Sequence, residues 1–315
     1  MSFRRPKIVI IGAGHTGATV ALMVAQKQIG GDIVLIDLPD FESAAKGKAL
    51  DILQAGPIER FNVQVTATSN YQEIAHADIV VITAGIARKP GMTRQDLIHT
   101  NAAIVRTVSE QIKRYAPTSY VIVLSNPVDA MTYVCLEATG FPKNRVMGQS
   151  GVLDTARFNT FIAQALQLAV EDISSFVLGG HGDEMVPLVR YTYVGGIPLE
   201  KLMPQAQIEQ LVERTRKGGG EIVALLGNGS AYYAPPAAAI VQMIEAIVKD
   251  QRKVMPIITY LQGEYQVNNA CIGVPVVLGG GDGIESVIEL HLNEEEQQAF
   301  NHSVHQVYQT LAYIK

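Results

Sequence analysis

The sequence predicts an α/β protein: a Rossmann-type doubly wound parallel sheet followed by a mixed α+β domain. Three observations carry this. Through the first half, short and almost wholly apolar runs alternate with amphipathic stretches, the pattern of parallel strands covered by helices on both faces. A glycine-rich turn, Gly12-Ala13-Gly14-His15-Thr16-Gly17, joins the first run to the first helical stretch. Beyond Gly148–Gly151 the alternation gives way to longer helical and extended stretches, so we expect a first domain over 1–149 and a second over 150–315.

The strands expected in the first half are Lys7–Ile11, Asp32–Ile36, Val63–Ala67, Asp78–Thr83, Tyr120–Leu124 and Arg145–Met147. Most are rich in Val and Ile, which fit a pleated sheet. Between them Thr16–Gln28, Ala44–Gln54, Asp96–Tyr115 and Ala130–Thr139 have helical spacing. The second half begins with a helix over Val152–Leu166, then extended segments at Ile173–Leu178 and Val186–Val194. Helices at Gln205–Leu226 and Pro236–Lys249, strands at Val254–Leu261, Cys271–Leu278 and Ser286–Leu290, and a closing helix at Glu294–Ala312 complete it.

The 315 residues are 48% hydrophobic and 17% charged, with a net charge of -5. This composition excludes disorder and a fibrous chain. No basic stretch provides the electrostatic footprint of a nucleic-acid binder. Cys135 and Cys271 form no CxxC pair, so neither a disulfide framework nor a cysteine-based zinc site is expected, and no metal is assigned. No signal peptide or membrane span is apparent, so the reading is a soluble, cytoplasmic protein.

Gly12–Gly17 fits GxGxxG in its proper context, directly after a strand and opening a helix. Gly12 permits the tight turn, Gly14 lets backbone approach a pyrophosphate, and Gly17 lets helix and strand pack closely. Ala13, His15 and Thr16 complete the turn, and the helix N-terminus offers unpaired N–H donors to phosphate oxygens. Asp37 ends the next strand, 20 residues after Gly17. Its carboxylate would accept from ribose hydroxyls and repel a 2′-phosphate, which points to NAD rather than NADP. Gly279–Gly283 reads as a turn, and Gly218–Gly220, inside a helical pattern, as a site of close backbone packing.

Of the seven histidines, His181 stands apart, after an extended run and between glycines. Asp154 and Arg157 share one helix face at i, i+3. An Asp that orients a His, beside an Arg able to fork onto a carboxylate, suits proton transfer on an anionic substrate. Taken alone, that Asp–Arg spacing is equally an ordinary surface ion pair. The Ala87–Arg94 loop and Ser125–Asp129 follow strands at the carboxyl edge of the sheet, where such sheets bind ligands. Arg88 and Arg94 could close over an anion, or form an ordinary basic loop, and Asn126 also faces this edge.

These motifs together resemble the lactate/malate dehydrogenase family, most closely its lactate-dehydrogenase-like malate branch. The resemblance rests on GAGHTG at Gly12–Gly17, ITAGIARKPGMTR at Ile82–Arg94 and LSNPVD at Leu124–Asp129. It extends to GQSGVLDTARF at Gly148–Phe158 and GGHGDEMVP at Gly179–Pro187. It implies that His181 exchanges the substrate proton, that Asp154 orients it, and that Arg157 grips the C1 carboxylate. It further implies that Arg94 polarises the reacting carbonyl and that Asn126 meets both the substrate oxygen and the nicotinamide side. Asn101 and the Leu124, Ser125 and Asn126 segment are implied cofactor contacts. Arg88 resembles the malate enzymes, where lactate enzymes carry Gln. The implied reaction is reversible NAD-linked oxidation of (S)-malate to oxaloacetate, of the tricarboxylic acid cycle type. Alternatives are a lactate or other 2-hydroxyacid dehydrogenase and a non-catalytic NAD-binding protein. A homodimer or homotetramer is implied, with Ala44–Ala55 as a dimer surface unless its Ala-rich face packs internally.

Overall fold

A computed structural model describes residues 5–86, 91–227 and 234–314. The chain opens with β1 (Lys7–Ile11), α1 (His15–Lys27), β2 (Asp32–Ile36), α2 (Glu42–Glu59), β3 (Gln64–Thr68) and β4 (Ile79–Ile82). It continues through α3 (Arg94–Tyr115), β5 (Tyr120–Val123), α4 (Val128–Thr139), β6 (Val146–Gly148) and α5 (Gly151–Leu166). Short strands follow: β7 (Ile173–Ser174), β8 (Val177–Leu178), β9 (Val186–Pro187), β10 (Tyr193–Val194) and β11 (Ile197–Pro198). The remainder is α6 (Gln205–Leu226), α7 (Ala234–Val248), β12 (Lys253–Gln262), β13 (Asn268–Gly279), β14 (Gly283–Val287) and α8 (Glu294–Ala312).

The main sheet has nine strands in the order β14-β13-β12-β6-β5-β4-β1-β2-β3. β3 to β6 are parallel neighbours in the doubly wound order, which reverses between β1 and β4. That switch point is where such sheets open a ligand crevice. β12 joins β6 antiparallel through Ile258 and Gly148, so the second half extends the same sheet. Ile8, Val9, Ile10, Val80, Val81, Val121 and Ile122 are fully buried, as strands covered on both faces require. A smaller core, centred on Phe158, Ile162, Leu199 and Ile208, packs α5 against α6 and the short strands. Among the described residues no helix is long and apolar enough to cross a membrane.

Four segments depart from the sequence reading, the first being the extended run expected over 173–178, which is two strands, β7 and β8, in different small sheets. α2 runs past Gln54 through Pro57 to Glu59. Pro57 lies in the last turn, and Gly56 still accepts from Phe61 N–H to close it. The segment expected as one extended run over 186–194 is two short strands separated by a 3₁₀ turn at Val189–Tyr191. The last strand lies at Gly283–Val287 rather than 286–290 because the turn at 280–282 sets its register, with Gly279 opposite Gly283.

Candidate active site

The glycine turn sits at the switch point. A Cβ on Gly17 would fall 1.9 Å from the Gly12 carbonyl oxygen, so β1 and α1 can approach this closely only with glycine there. Gly14, by contrast, faces open space, with no atom within 4 Å of where its Cβ would be. It is the N-cap of α1 and makes no side-chain cap, so the N-terminus of the helix faces the turn without a side chain of Gly14 in the way of an anion. Asp37 Oδ2 accepts from Ala13 N–H at 2.8 Å and Oδ1 from Leu38 N–H at 2.8 Å. Each oxygen keeps a lone pair for a ribose hydroxyl. Lys48, unremarked in the sequence, reaches from α2 to donate to the Ala13 carbonyl. These residues fit a dinucleotide.

Asn101 is buried on α3. Its Oδ1 accepts from Ile86 N–H at 2.9 Å and its Nδ2 donates to the Asn126 carbonyl at 2.7 Å. It thereby ties the segments following β4 and β5 together at the crevice. Leu124 N–H continues the ladder to the Ile82 carbonyl, and Ser125 Oγ donates to the Ala84 carbonyl. Asn126 is exposed at the same edge.

A polar cleft of about 340 Å³ adjoins this edge, lined in part by Arg94, Asp129, His181, Ser303 and Thr310. Arg94 is the first residue of α3, whose start is fixed by a capping box. There Thr93 Oγ1 accepts from Asp96 N–H at 3.1 Å, and the Asp96 carboxylate accepts from Thr93 N–H at 3.0 Å. From this position Arg94 Nη2 lies 3.5 Å from Thr310 Oγ1 of α8. Arg88 lies outside the described residues.

Asp154, 2% exposed on α5, is the hub. Its Oδ2 is 2.8 Å from His181 Nδ1, and its Oδ1 accepts from Arg157 Nη1 at 3.0 Å. The His181 loop is fixed by backbone. Gly179 and Gly273 of β13 exchange N–H···O bonds of 2.9 and 3.1 Å. Gly179 has φ +92°, and a Cβ there would fall 2.6 Å from Ser303 Oγ. Ser303 Oγ accepts from Gly180 N–H, and Asp129 Oδ2 accepts from His181 N–H, both at 2.9 Å. Burial pushes the imidazole pKa down, but the carboxylates of Asp154 and Asp129 outweigh it and leave the value raised. Burial likewise pushes the Asp129 carboxyl up, to about 6.

The structure therefore brings His181, Asp154 and Arg157 into one hydrogen-bonded group, with Arg94 on the same cleft as His181. Asp129 and Ser303 were missed. Asp129 follows Asn126 in the same motif, but nothing local marks a partner 52 residues away.

Two family models match the chain: lactate/malate dehydrogenase, NAD binding domain, over residues 6–148, and lactate/malate dehydrogenase, alpha/beta C-terminal domain, over residues 151–314. The chain is 60% identical over 307 residues to the malate dehydrogenase of Halalkalibacterium halodurans, covering 98% of this chain and 97% of that protein. It is similar in structure to the malate dehydrogenase of Salinibacter ruber, with TM-score 0.92, 45% identity, and 98% and 97% of the two chains covered. It is also similar to the lactate dehydrogenase of Eimeria maxima with NADH and oxamate. That likeness has TM-score 0.94 and 35% identity, with 100% and 95% covered.

Proposed function

The chain belongs to the lactate/malate dehydrogenase family, and we propose that it catalyses the reversible NAD-dependent oxidation of (S)-malate to oxaloacetate. The observation that carries this reading is the Asp154 fork, which joins a proton-transfer group to a carboxylate-binding group. Asp37 and the Gly12–Gly17 turn would hold NAD, which would supply the hydride acceptor for C2 of malate.

The chain's own residues do the rest. Because the Asp154 carboxylate can only accept, Nδ1 of His181 is its donor, and Nε2 is left to exchange a proton. Neutral His181 takes the malate hydroxyl proton as the carbonyl forms, and the imidazolium returns it in the reverse direction. Asp154, 2.8 Å from Nδ1, stabilises that imidazolium. Arg157 forks onto the C1 carboxylate, and Arg94 stabilises negative charge on the substrate oxygen. Asn126 touches that oxygen and the nicotinamide side, while Asn101 holds the segment carrying it. Arg88 pairs with the second carboxylate, whose burial without a cation would be costly.

In this reading the chain divides between 149 and 150 into a cofactor half and a substrate half, and works in the cytoplasm as a homodimer or homotetramer. The Ala-rich face of α2 packs internally through Ala45 and Ala49, so what supports an assembly through α2 is its other face, where Leu50 and Ile58 are 56% and 80% exposed. The test of the reaction is steady-state kcat/KM for oxaloacetate and pyruvate with NADH and NADPH. A preference for oxaloacetate and NADH is expected; a preference for pyruvate would return the site to a lactate enzyme.

A further inference from the structure

We propose that Asp129 is a positioning residue for His181, holding its backbone N–H and placing a second carboxylate, on a different helix from Asp154, beside the proton-transfer group. The inference rests on the reading of His181 as the proton-transfer group. Asp129 lies in the first turn of α4 and is 7% exposed. Its Oδ2 accepts from His181 N–H at 2.9 Å, while its Oδ1 is buried and finds no hydrogen-bond partner among the described residues. His181 thus sits between two carboxylates on different helices, Asp154 at its ring and Asp129 at its backbone.

Anchoring alone does not call for a charge. One residue earlier, neutral Ser303 performs the same task on Gly180 N–H at the same 2.9 Å distance. A buried carboxylate with a free oxygen is costlier to fold around than a hydroxyl. What Asp129 adds over Ser303 is its charge, and the nearby group whose protonation that charge favours is His181.

The other groups around the ring divide by sign. Arg157 of α5 opposes its protonation and Asp154 of α5 favours it, while Arg94 of α3 lines the same cleft. Asp183 and Glu184 lie on the loop's own cleft wall, and Glu184 is engaged with His302 of α8 at 3.2 Å. Cys271 of β13, facing Asp129, is kept neutral by burial.

The test is the titration of the His181 ring, followed by NMR with and without NADH and assigned with His181→Asn. It is applied to the unmutated protein, Asp129→Asn and Asp129→Ala. Asp129→Asn preserves an acceptor for His181 N–H and removes the charge, so the midpoint should fall by about one pH unit. The pH at which oxaloacetate reduction declines should fall with it, and NADH affinity should stay within about twofold because the glycine turn is untouched. Asp129→Ala also frees the backbone and should lower kcat further, on the order of tenfold. Asp129→Ala, which also removes the charge, serves as the titration if Asp129→Asn does not fold. Ser303→Ala, which removes an anchor without a charge, should leave the midpoint in place, and a midpoint that it moves as far as the Asp129 variants do makes Asp129 only structural. An unchanged midpoint in Asp129→Asn overturns the proposal. Because the ring titration needs no substrate, failure to turn over oxaloacetate would count against the malate reading alone.

Discussion

Asp154 Oδ2 stands 2.8 Å from Nδ1 of His181, so the imidazole has a fixed donor side and a fixed exchanging side. The tautomer follows from the partner, as in other carboxylate–imidazole pairs. His181→Asn should remove most turnover in both directions, a loss of three or more powers of ten being on the order seen when a proton-transfer group is deleted. NADH binding, measured by fluorescence, should persist. Near-normal turnover would refute the assignment.

The raised pKa of His181 fixes the sign of the pH response. Oxaloacetate reduction needs the imidazolium and should fall as pH rises through the raised value, whereas malate oxidation should rise through it. Stability follows the same proton. A basic group whose folded pKa lies above the ordinary value contributes stability that is complete below about 6.5 and disappears as pH rises through the folded value. The Tm deficit of His181→Asn should therefore be greatest on the acid side and shrink toward alkaline pH. A deficit that grows with pH would contradict the shift.

Asp37 holds the backbone of the turn besides the ribose role proposed for it, which alters what its replacement should do. Both oxygens hold backbone N–H groups, of Ala13 and Leu38. Asp37→Ser with Leu38→Arg should narrow the preference for NADH over NADPH, but it should also raise KM for both cofactors by loosening the turn. Equal kcat/KM for NADH and NADPH in the unmutated protein would remove Asp37 from the discrimination.

How much could be read beforehand depended on whether a contact is local. The glycine turn, the 7–11 and 32–36 strands and the Asp154–Arg157 spacing are legible because each needs only neighbours in sequence. The Asp129–His181 contact and the Gly179–Gly273 pairing are not, since they join elements 52 and 94 residues apart and leave no periodic trace. That β12 pairs with β6 was hidden for the same reason. The continuation of α2 past Pro57 is not legible because proline ordinarily stops a helix, losing the N–H bond to the carbonyl four residues back and crowding it; here the helix bears that loss for a single further turn.

Arg88 is assigned from the sequence resemblance and charge balance. If it meets the second carboxylate, Arg88→Gln leaves that charge unpaired, at a cost of ~3–5 kcal/mol where it stays desolvated. Oxaloacetate kcat/KM should then fall by roughly two to four powers of ten, and pyruvate reduction should rise. An unchanged oxaloacetate-to-pyruvate ratio would reopen the substrate.

The three glycines of α6 make different predictions because they face different things. A Cβ on Gly218 would lie 3.2 Å from Cδ of Arg157, and one on Gly219 would lie 3.5 Å from its Nη2. Gly220 is exposed and has no atom within 4 Å of that position. Alanine favours a helix interior over glycine by about 1 kcal/mol, so Gly220→Ala should raise stability by that amount and leave kinetics alone. Gly218→Ala gains the same propensity but must displace the Arg157 stem, whose other end is held by Asp154 at 3.0 Å. A guanidinium moved by a few tenths of an ångström no longer forks squarely onto a carboxylate, and KM for oxaloacetate should rise about tenfold. Gly218→Val, with a larger and branched side chain, should raise it further and reverse the stability gain. Identical kinetics in the Gly218 and Gly220 alanine variants would mean that Arg157 does not depend on α6 for its position.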